Sequence, residues 1–351
     1  MIRKILDWIE ARISLEGPRH LLEEKTVPRH RFTFFYFFGG MALFFFIVQV
    51  CSGVLLLLYY QPTPANAYSS VKYIMTQVPF GWLIRSVHVW SANLMILCIF
   101  LHFFTALLTK AYRKPREMTW MSGFILMLLC LGFGFTGYLL PWNKLSYFAT
   151  KVGTTMVDRF PFAGHWLLEL TRGGTEVGSA TLSRFFALHV FVLPFLVILI
   201  LAFHLYLVQA QGMSVPINAR IKGEIKFFPN FLLRDLFAWL VALCVLALAA
   251  SLFPWDLGVK ANPFGSAPPG IKPEWYFLAV FQALKFLPAH IVRIEGEVVG
   301  MGLFSLAGAA AFLLPFIDRK ASREQPSLWV TVGGTAALVF MIAMTIYGYF
   351  A

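Results

Sequence analysis

The chain has 351 residues, of which 59% are hydrophobic and 13% are charged, and its formal net charge is +12. Since an ordinary soluble domain carries about a quarter charged residues, this composition indicates a protein that lies in a lipid bilayer. A positive chain could suit nucleic acid, but the sequence contains no soluble basic domain to carry that function. The charge is better explained by membrane topology.

Seven stretches have about the 20 apolar residues that cross a bilayer core. They are continuously apolar and do not alternate as barrel strands do, so each is predicted to be a helix. The sequence therefore predicts an all-α integral membrane bundle of about seven transmembrane helices. Numbered one to seven, they run from about Phe32 to Tyr60, Ser86 to Thr109, Met118 to Pro141, Phe185 to Gln209, Leu236 to Trp255, Val298 to Ile317 and Leu328 to Phe350.

Basic residues predict the orientation of the bundle. Of the 29 Lys and Arg residues, 18 fall in residues 1–31, 110–117, 210–235 and 318–327. Because short cytoplasmic loops carry the excess of Lys and Arg, we expect these segments and the N-terminus on the inner side.

Residues 1–31 contain no uninterrupted apolar core and are not a predicted signal peptide. Their apolar residues recur at helical spacing among charged ones, which favours a helix lying along the inner membrane face over a solvated tail. These apolar residues are Ile2, Ile5, Leu6, Ile9 and Ile13.

Cysteine usage predicts neither a covalent c-type heme nor a zinc site. All four cysteines lie in predicted spans, and none belongs to a CxxC or CxxCH pattern. We expect small core side chains at Cys51, Cys98, Cys130 and Cys244.

Four of the eight histidines lie in apolar spans, where a polar ring is costly and points to function. His88 and His102 are 14 residues apart on helix two, and His189 and His204 are 15 apart on helix four. Each pair returns to within about 40–60° of one helix face and is separated by roughly 21–23 Å. Because both helices run in the same direction, each of two depths offers two imidazoles, which is the axial ligation of a b-type heme. We therefore predict two hemes, held by His88 with His189 and by His102 with His204.

Glycines repeat the same interval on the neighbouring helices. Gly39 and Gly53 are 14 residues apart on helix one, as are Gly123 and Gly137 on helix three. Glycine permits close approach, so these positions are expected to flank the hemes. Generic helix packing through small residues is the alternative, although it does not require this interval.

These residues resemble the cytochrome b subunits of quinol:cytochrome c and quinol:plastocyanin oxidoreductases. The resemblance covers nearly the whole chain and is carried by FGWLIRSVHVW (80–90), KPREMTW (114–120), GFTGYLLPWNK (134–144), TLSRFFALHVFVLP (181–194) and KPEWYFLAVFQ (272–282). The 15-residue histidine interval is similar to the chloroplast and cyanobacterial branch, whereas LPWNKLSYF (140–148) is closer to the mitochondrial one.

The resemblance implies two halves that are separate subunits in the chloroplast branch and are fused here. Residues 32–212 would form the four-helix di-heme domain, which is b6-like. Residues 213–351 would form a three-helix domain, which resembles subunit IV, with the join near Met213–Lys226. By the same resemblance, the eighth helix of the longer mitochondrial protein is not expected here.

The PEWY motif lies in the predicted outer loop between helices five and six. Quinol oxidation releases protons, and a carboxylate shielded from water is a suitable acceptor. The resemblance implies that Glu274 has this role and that Phe281 is a pocket wall. An exposed loop acid is the alternative. The motif residues are Pro273, Glu274, Trp275 and Tyr276.

Further site residues are expected at both ends of the heme column. The family's inner quinone-reduction site corresponds to Arg234 and Asp235, although charge anchoring at a helix end explains them equally well from sequence. Arg85 and Arg184 would either bind outer-heme propionates or anchor the interface. Trp120 would donate its indole N–H to an inner-heme propionate.

Departures from the family pattern also matter. The chloroplast branch has a cysteine on helix one that binds a third heme covalently, and Phe37 occupies that position here. A covalent third heme is therefore not expected. Val89 and Thr105 stand where the family often has arginine, which predicts an altered propionate environment.

The resemblance implies a quinol-oxidising complex of an energy-transducing membrane, such as the bacterial inner membrane. One electron of each quinol would go to a Rieske iron–sulfur protein, and the other would cross the membrane through the two hemes to an inner quinone. Cytochrome c or another high-potential acceptor, lipid and a second copy of the complex are the further expected partners. The main rival is a passive di-heme anchor that links a peripheral oxidoreductase to the quinone pool, and a heme-free transporter or structural bundle is a third possibility.

Overall fold

The computed structural model describes Trp8, residues 24–159 and residues 163–351. Within these residues the chain forms thirteen α-helices and two short antiparallel strand pairs. The predicted all-α class is confirmed. Ile2, Ile5, Leu6, Ile9 and Ile13 of the predicted interfacial helix lie outside the described residues.

Six of the described helices are long and apolar enough to cross a membrane. A 3₁₀ turn, Thr33–Tyr36, precedes the first of them. The six are α1 (Phe37–Leu57), α3 (Gly81–Leu108), α4 (Glu117–Leu139), α7 (Ser179–Gln211), α8 (Leu232–Leu252) and α13 (Leu328–Phe350).

The sixth predicted span is shorter than the others. It forms α10 (Gly296–Phe312), 17 residues long, and then α11 (Leu314–Ile317). Leu313, between the two, leaves helical geometry, and Pro315, which has no backbone N–H, follows it. The seven predicted stretches are therefore all helical, with one interrupted near its end.

Short helices occupy the connections. They are α2 (Ala67–Thr76), α5 (Lys144–Asp158), α6 (Gly164–Arg172), α9 (Trp275–Lys285) and α12 (Arg319–Ser322). Strand β1 (Thr26–Pro28) pairs with β2 (Glu224–Lys226), with Val27 opposite Ile225. A small hairpin joins β3 (His290–Ile291) to β4 (Ile294–Glu295).

The connections meet at two ends of the bundle. At the basic end, formed by residues 24–32, 109–116, 212–231 and 318–327, Arg113 donates to the Val215 carbonyl (2.5 Å), and Tyr112 donates to buried Asp318 (2.6 Å). At the loop end, formed by residues 58–80, 140–159, 163–178 and 253–295, the Lys144 N–H donates to the Val259 carbonyl (2.7 Å). The described loops of the segments predicted to face inward therefore share one end.

Three apolar clusters lie along the bundle. The middle one joins α1, α3, α4 and α8 through Phe45, Met95, Cys98, Cys130, Ala242 and Leu246. Cys98 and Cys130 are core residues as predicted, whereas Cys51 and Cys244 are exposed on helix surfaces. Large apolar side chains also cover the outside of α7, where Phe191 is 72% exposed, as a lipid-facing helix requires.

Candidate functional site

The four span histidines converge on the interior between α3 and α7. His88 and His102 project from α3, and His189 and His204 project from α7. The ring centroids of His88 and His189 are 6.3 Å apart. One metal ion bound by both rings needs roughly 6 Å, which is twice the sum of a ~2 Å metal–nitrogen bond and the ~1.1 Å from nitrogen to centroid. This spacing would therefore allow both rings to bind one iron ion.

A π-helical turn explains how histidines 15 residues apart on α7 match a pair 14 apart on α3. The turn spans Leu188–Val192 and contains His189. A π-turn accommodates one extra residue without advancing the helix face. Pro194 follows it and has no N–H to continue the α-helical ladder. The effective interval is thus close to 14, and the two helices present their rings in register.

Each glycine of the 14-residue repeats lies against one histidine. A Cβ atom at Gly53 would lie 3.3 Å from His88 Cε1, and one at Gly137 would lie 2.5 Å from His189 Cε1. The distances for the other two pairs, Gly39 with His102 and Gly123 with His204, are 3.2 and 3.1 Å. The glycines therefore make room for the imidazoles, which refines the expectation that they flank a macrocycle.

Hydroxyl groups orient three of the rings. Ser52 Oγ lies 2.9 Å from His88 Nδ1, Ser122 Oγ 3.0 Å from His204 Nδ1, and Thr136 Oγ1 3.2 Å from His189 Nδ1. Each hydroxyl donates its one hydrogen to a backbone carbonyl, those of Val48, Thr119 and Gly132.

These hydroxyls must therefore accept a hydrogen bond from Nδ1–H, which leaves the Nε2 lone pair free for a metal. Sequence reasoning missed them, although a signal was present: a hydroxyl residue directly precedes three of the four repeated glycines. The fourth position is Phe38. Among the described residues, no side chain is hydrogen-bonded to the ring of His102.

The cavity beside the His88–His189 pair has a volume of about 320 Å³. Its lining includes both histidines, Arg85, Glu274 and Tyr276. Arg85 is buried and donates to the carbonyls of Trp255 (2.5 Å) and Asp256 (3.1 Å). These bonds hold the start of α3 to the chain that follows α8.

The PEWY residues take different positions around this cavity. Glu274 is half-buried at the N-cap of α9, so it is not an exposed loop acid. Burial raises the pKa of the Glu274 carboxyl, and burial with that carboxyl nearby raises the pKa of Tyr276. Trp275 Nε1 donates to Asn93 Oδ1 on α3 (2.7 Å), which fixes the motif to the bundle. Pro273 is half-buried and precedes the helix.

Phe281, predicted as a wall of the same pocket, does not line this cavity. It lies almost two helical turns after Glu274 on α9, and the Lys285 amino group stands 4.5 Å from its ring centroid. The cavity wall near the motif is instead completed by Tyr276, whose ring packs against Gly134.

Two residues predicted to contact heme propionates donate to backbone carbonyls. Arg184 Nη1 donates to the carbonyls of Glu169 (2.7 Å) and Leu170 (2.5 Å) at the end of α6. Trp120 Nε1 donates to the Ala311 carbonyl on α10 (2.9 Å). Both donors therefore have protein partners in this structure, and their contacts to heme propionates stay predictions.

At the basic end, Asp235 lies in the first turn of α8 and is half-buried, while Arg234 is exposed. The Asp235 carboxyl packs on Gly40 of α1, where a Cβ atom would lie within 3 Å of it. Phe37 stacks on Phe231 with centroids 5.3 Å apart. Among the described residues, neither a hydrogen bond nor an ion pair engages the Asp235 carboxylate.

Comparisons with known proteins agree over nearly the whole chain. Residues 22–212 match the family model for cytochrome b/b6/petB, and residues 260–351 match that for cytochrome b (C-terminal)/b6/petD. The cytochrome bc complex cytochrome b subunit of Chlorobaculum thiosulfatiphilum is 49% identical over 97% of this chain and 80% of its own length.

Two further relatives cover different extents. Cytochrome b6 of Gracilaria tenuistipitata var. liui is 45% identical over 61% of this chain and 99% of its own. A chain of a hyperthermophilic respiratory Complex III superposes with a TM-score of 0.85 at 30% identity, covering 98% of this chain and 91% of that one. The matched segments carry the histidines, the glycines and the PEWY motif, and the chain belongs to the cytochrome b/b6 family.

Proposed function

We propose that this chain is the cytochrome b subunit of a quinol-oxidising complex that contains two b-type hemes. His88 with His189 and His102 with His204 would hold them. The observation that carries the proposal is the 6.3 Å separation of the first pair, in rings whose Nε2 atoms are left free. The bound hemes would supply one-electron transfer between the two ends of the bundle.

The loop-end cavity is the proposed site of quinol oxidation. Its lining joins Glu274 and Tyr276 to the His88–His189 pair in one largely apolar space. The buried carboxylate of Glu274 would accept a proton from a quinol hydroxyl, since its raised pKa makes it a stronger base than an exposed glutamate. One electron would leave to a Rieske iron–sulfur partner, with cytochrome c or another high-potential protein as the later acceptor.

The basic end is the proposed site of quinone reduction. The Asp235 carboxylate engages no protein group among the described residues and is available to relay protons to a bound quinone. Arg234, adjacent and exposed, would hold the local potential positive. Turnover at both ends would move charge across the membrane and contribute to a proton gradient.

The same proposal includes the orientation of the chain in the membrane, its two domains and the number of hemes. The basic end faces the inner side of an energy-transducing membrane, because the sequence segments predicted to face inward hold 18 of the 29 Lys and Arg residues and their described loops lie at this end. The di-heme domain comprises residues 32–212 and the C-terminal domain residues 213–351, and the complex is a dimer embedded in lipid. Phe37 in place of a cysteine leaves the complex without a covalent third heme.

A Glu274→Gln variant tests the quinol-oxidation site. We expect quinol oxidation by the purified complex to fall by two to four orders of magnitude, the usual contribution of a positioned base, with both hemes retained in the optical spectrum. Glu176→Gln is the matched control, because Glu176 is an exposed loop-end glutamate that pairs with Lys151 (2.7 Å). Undiminished turnover of Glu274→Gln would contradict the proposed role and favour a passive di-heme anchor.

A further inference from the structure

Trp239 on α8 has a buried indole nitrogen without a hydrogen-bond partner. Among the described residues, three buried side-chain polar atoms lack a partner, and Trp239 Nε1 is the one within a membrane-spanning helix. An indole N–H can only donate, and lipid offers no water to accept from it. Such a group in a native fold calls for an explanation, because leaving it unpaired costs about 1–3 kcal/mol.

Three other indoles of the described chain have hydrogen-bond acceptors. Trp90 Nε1 donates to the Phe253 carbonyl (2.8 Å), Trp120 Nε1 to the Ala311 carbonyl and Trp275 Nε1 to Asn93. The fold thus provides acceptors for tryptophans in comparable surroundings. The lack of one at Trp239 points to an acceptor that is not part of this chain.

The contacts between α1 and α8 show where this donor lies. From the basic end inward they are Phe37 with Phe231, Gly40 with Asp235, and Phe44 with Trp239, whose ring centroids are 5.5 Å apart. Asp235 and Trp239 are four residues apart on α8, so their side chains are neighbours on one helix face, about 6 Å apart along the axis. An acceptor, the Asp235 carboxylate, and a donor, Trp239 Nε1–H, therefore lie on the same face of α8 beside α1, and neither has a hydrogen-bond partner among the described residues.

We propose that Trp239 Nε1–H donates a hydrogen bond to a carbonyl oxygen of a quinone bound beside Asp235. The inference rests on the proposed quinone-reduction site and adds a residue to it. A quinone has two carbonyl oxygens on opposite sides of a flat ring. One oxygen could therefore lie near Asp235 at the basic end while the other accepts a hydrogen bond from Trp239, deeper in the membrane. The indole keeps its hydrogen throughout and positions the ring, while the protons of reduction pass through Asp235.

A Trp239→Phe variant retains an aromatic ring against Phe44 and removes the N–H. The purified complex is tested by oxidation of the pre-reduced hemes with short-chain ubiquinone and menaquinone analogues, each titrated separately. We expect the half-saturating quinone concentration to rise roughly three- to tenfold, the loss of one net hydrogen bond, with little change in the maximal rate. Trp329→Phe, at an exposed indole in the first turn of α13, is the matched control.

Infrared difference spectra of the bound quinone give a second readout. The carbonyl stretch is expected at higher frequency in Trp239→Phe than in the wild type, a shift that loosened packing would not produce. The Asp235→Asn variant tests the proposed quinone-reduction site separately from the role of Trp239. If Asp235→Asn impairs quinone reduction and Trp239→Phe changes neither affinity nor the carbonyl band, the assignment of Trp239 is wrong and the site stands.

Two other outcomes also overturn the assignment. If both variants reduce quinone normally, the quinone-reduction site itself lies elsewhere. If Trp239→Phe shifts the potential of a heme but leaves quinone affinity unchanged, the indole faces a heme and not a quinone.

Discussion

Replacing Gly137 by alanine is expected to expel the heme proposed between His88 and His189. The added Cβ would lie 2.5 Å from His189 Cε1 and 3.0 Å from Nδ1. Ordinary carbon contacts are about 3.5–4.0 Å, so the ring or its helix must move by about 1 Å. Metal–ligand distances tolerate only about 0.2 Å. The His189 ring therefore cannot both avoid the added Cβ atom and keep its proposed bond to the heme iron.

The size of the effect follows from comparison with the other glycines. At Gly53 the Cβ would lie 3.3 Å from His88 Cε1, so a shift of about 0.2 Å suffices. Adding a methyl group at a position as tightly packed as Gly137 lowers the free energy of unfolding by about 1–3 kcal/mol even without a cofactor. We therefore expect Gly137→Ala to lose one of two hemes per chain and Gly53→Ala to retain both.

The assay is heme quantitation per purified complex, together with reduced-minus-oxidised spectra. Gly132→Ala is the matched control on the same helix, because a Cβ there would meet Leu193 at an ordinary 3.7 Å. Two hemes of unchanged potential in Gly137→Ala would refute the assignment of the glycines to the histidine rings.

Three further outcomes are expected. Thr136→Val removes the acceptor of His189 Nδ1–H and makes this ligand less basic, so the potential of its heme should rise by roughly 20–60 mV in a redox titration; an unchanged or lower potential would argue against the hydrogen bond. Because burial raises the pKa of Glu274 and its carboxylate is the working form, quinol oxidation should increase as pH rises through a value above the usual glutamate range. Glu274→Gln should abolish that rise, and an identical pH profile would count against the base. Tyr112→Phe leaves the fully buried Asp318 without its 2.6 Å donor and should destabilise the basic end by about 1–3 kcal/mol in thermal unfolding, with a null effect contradicting the described network.

The sequence predicted the spans and the histidine ladder well because both depend on periodicity. Hydrophobic length placed α4 and α13 within a few residues, and the 14- and 15-residue histidine intervals predicted pairs of rings at two depths. The start of α3 was missed because a buried Arg85 looks like the end of a span unless its carbonyl partners near Trp255 are known.

Features that depend on distant contacts could not be predicted. The partner of the Trp120 indole, Ala311, is 191 residues away, and no local pattern identifies it. The π-turn at Leu188–Val192 changes the helix phase without changing composition, so the sequence alone does not show how a 15-residue interval on α7 matches a 14-residue interval on α3. The short helices α5 and α6 were also missed, since their mixed polarity resembles that of a loop.

The two proposed quinone sites differ in how much of each could be predicted from the sequence alone. Glu274 could be proposed from its motif, but its position in the same cavity as His88 emerges only from packing. Trp239 carries no motif at all, and only its unpaired nitrogen between α1 and α8 distinguishes it from a core tryptophan.

The central claim is that four histidines hold two hemes in a quinol-oxidising subunit. Redox titration of the purified complex with heme quantitation tests it most directly. We predict two extractable b-type hemes per chain, titrating at different potentials, and no heme that remains bound to the polypeptide after acid–acetone extraction. A single heme, no heme, or a covalently retained one would contradict the account.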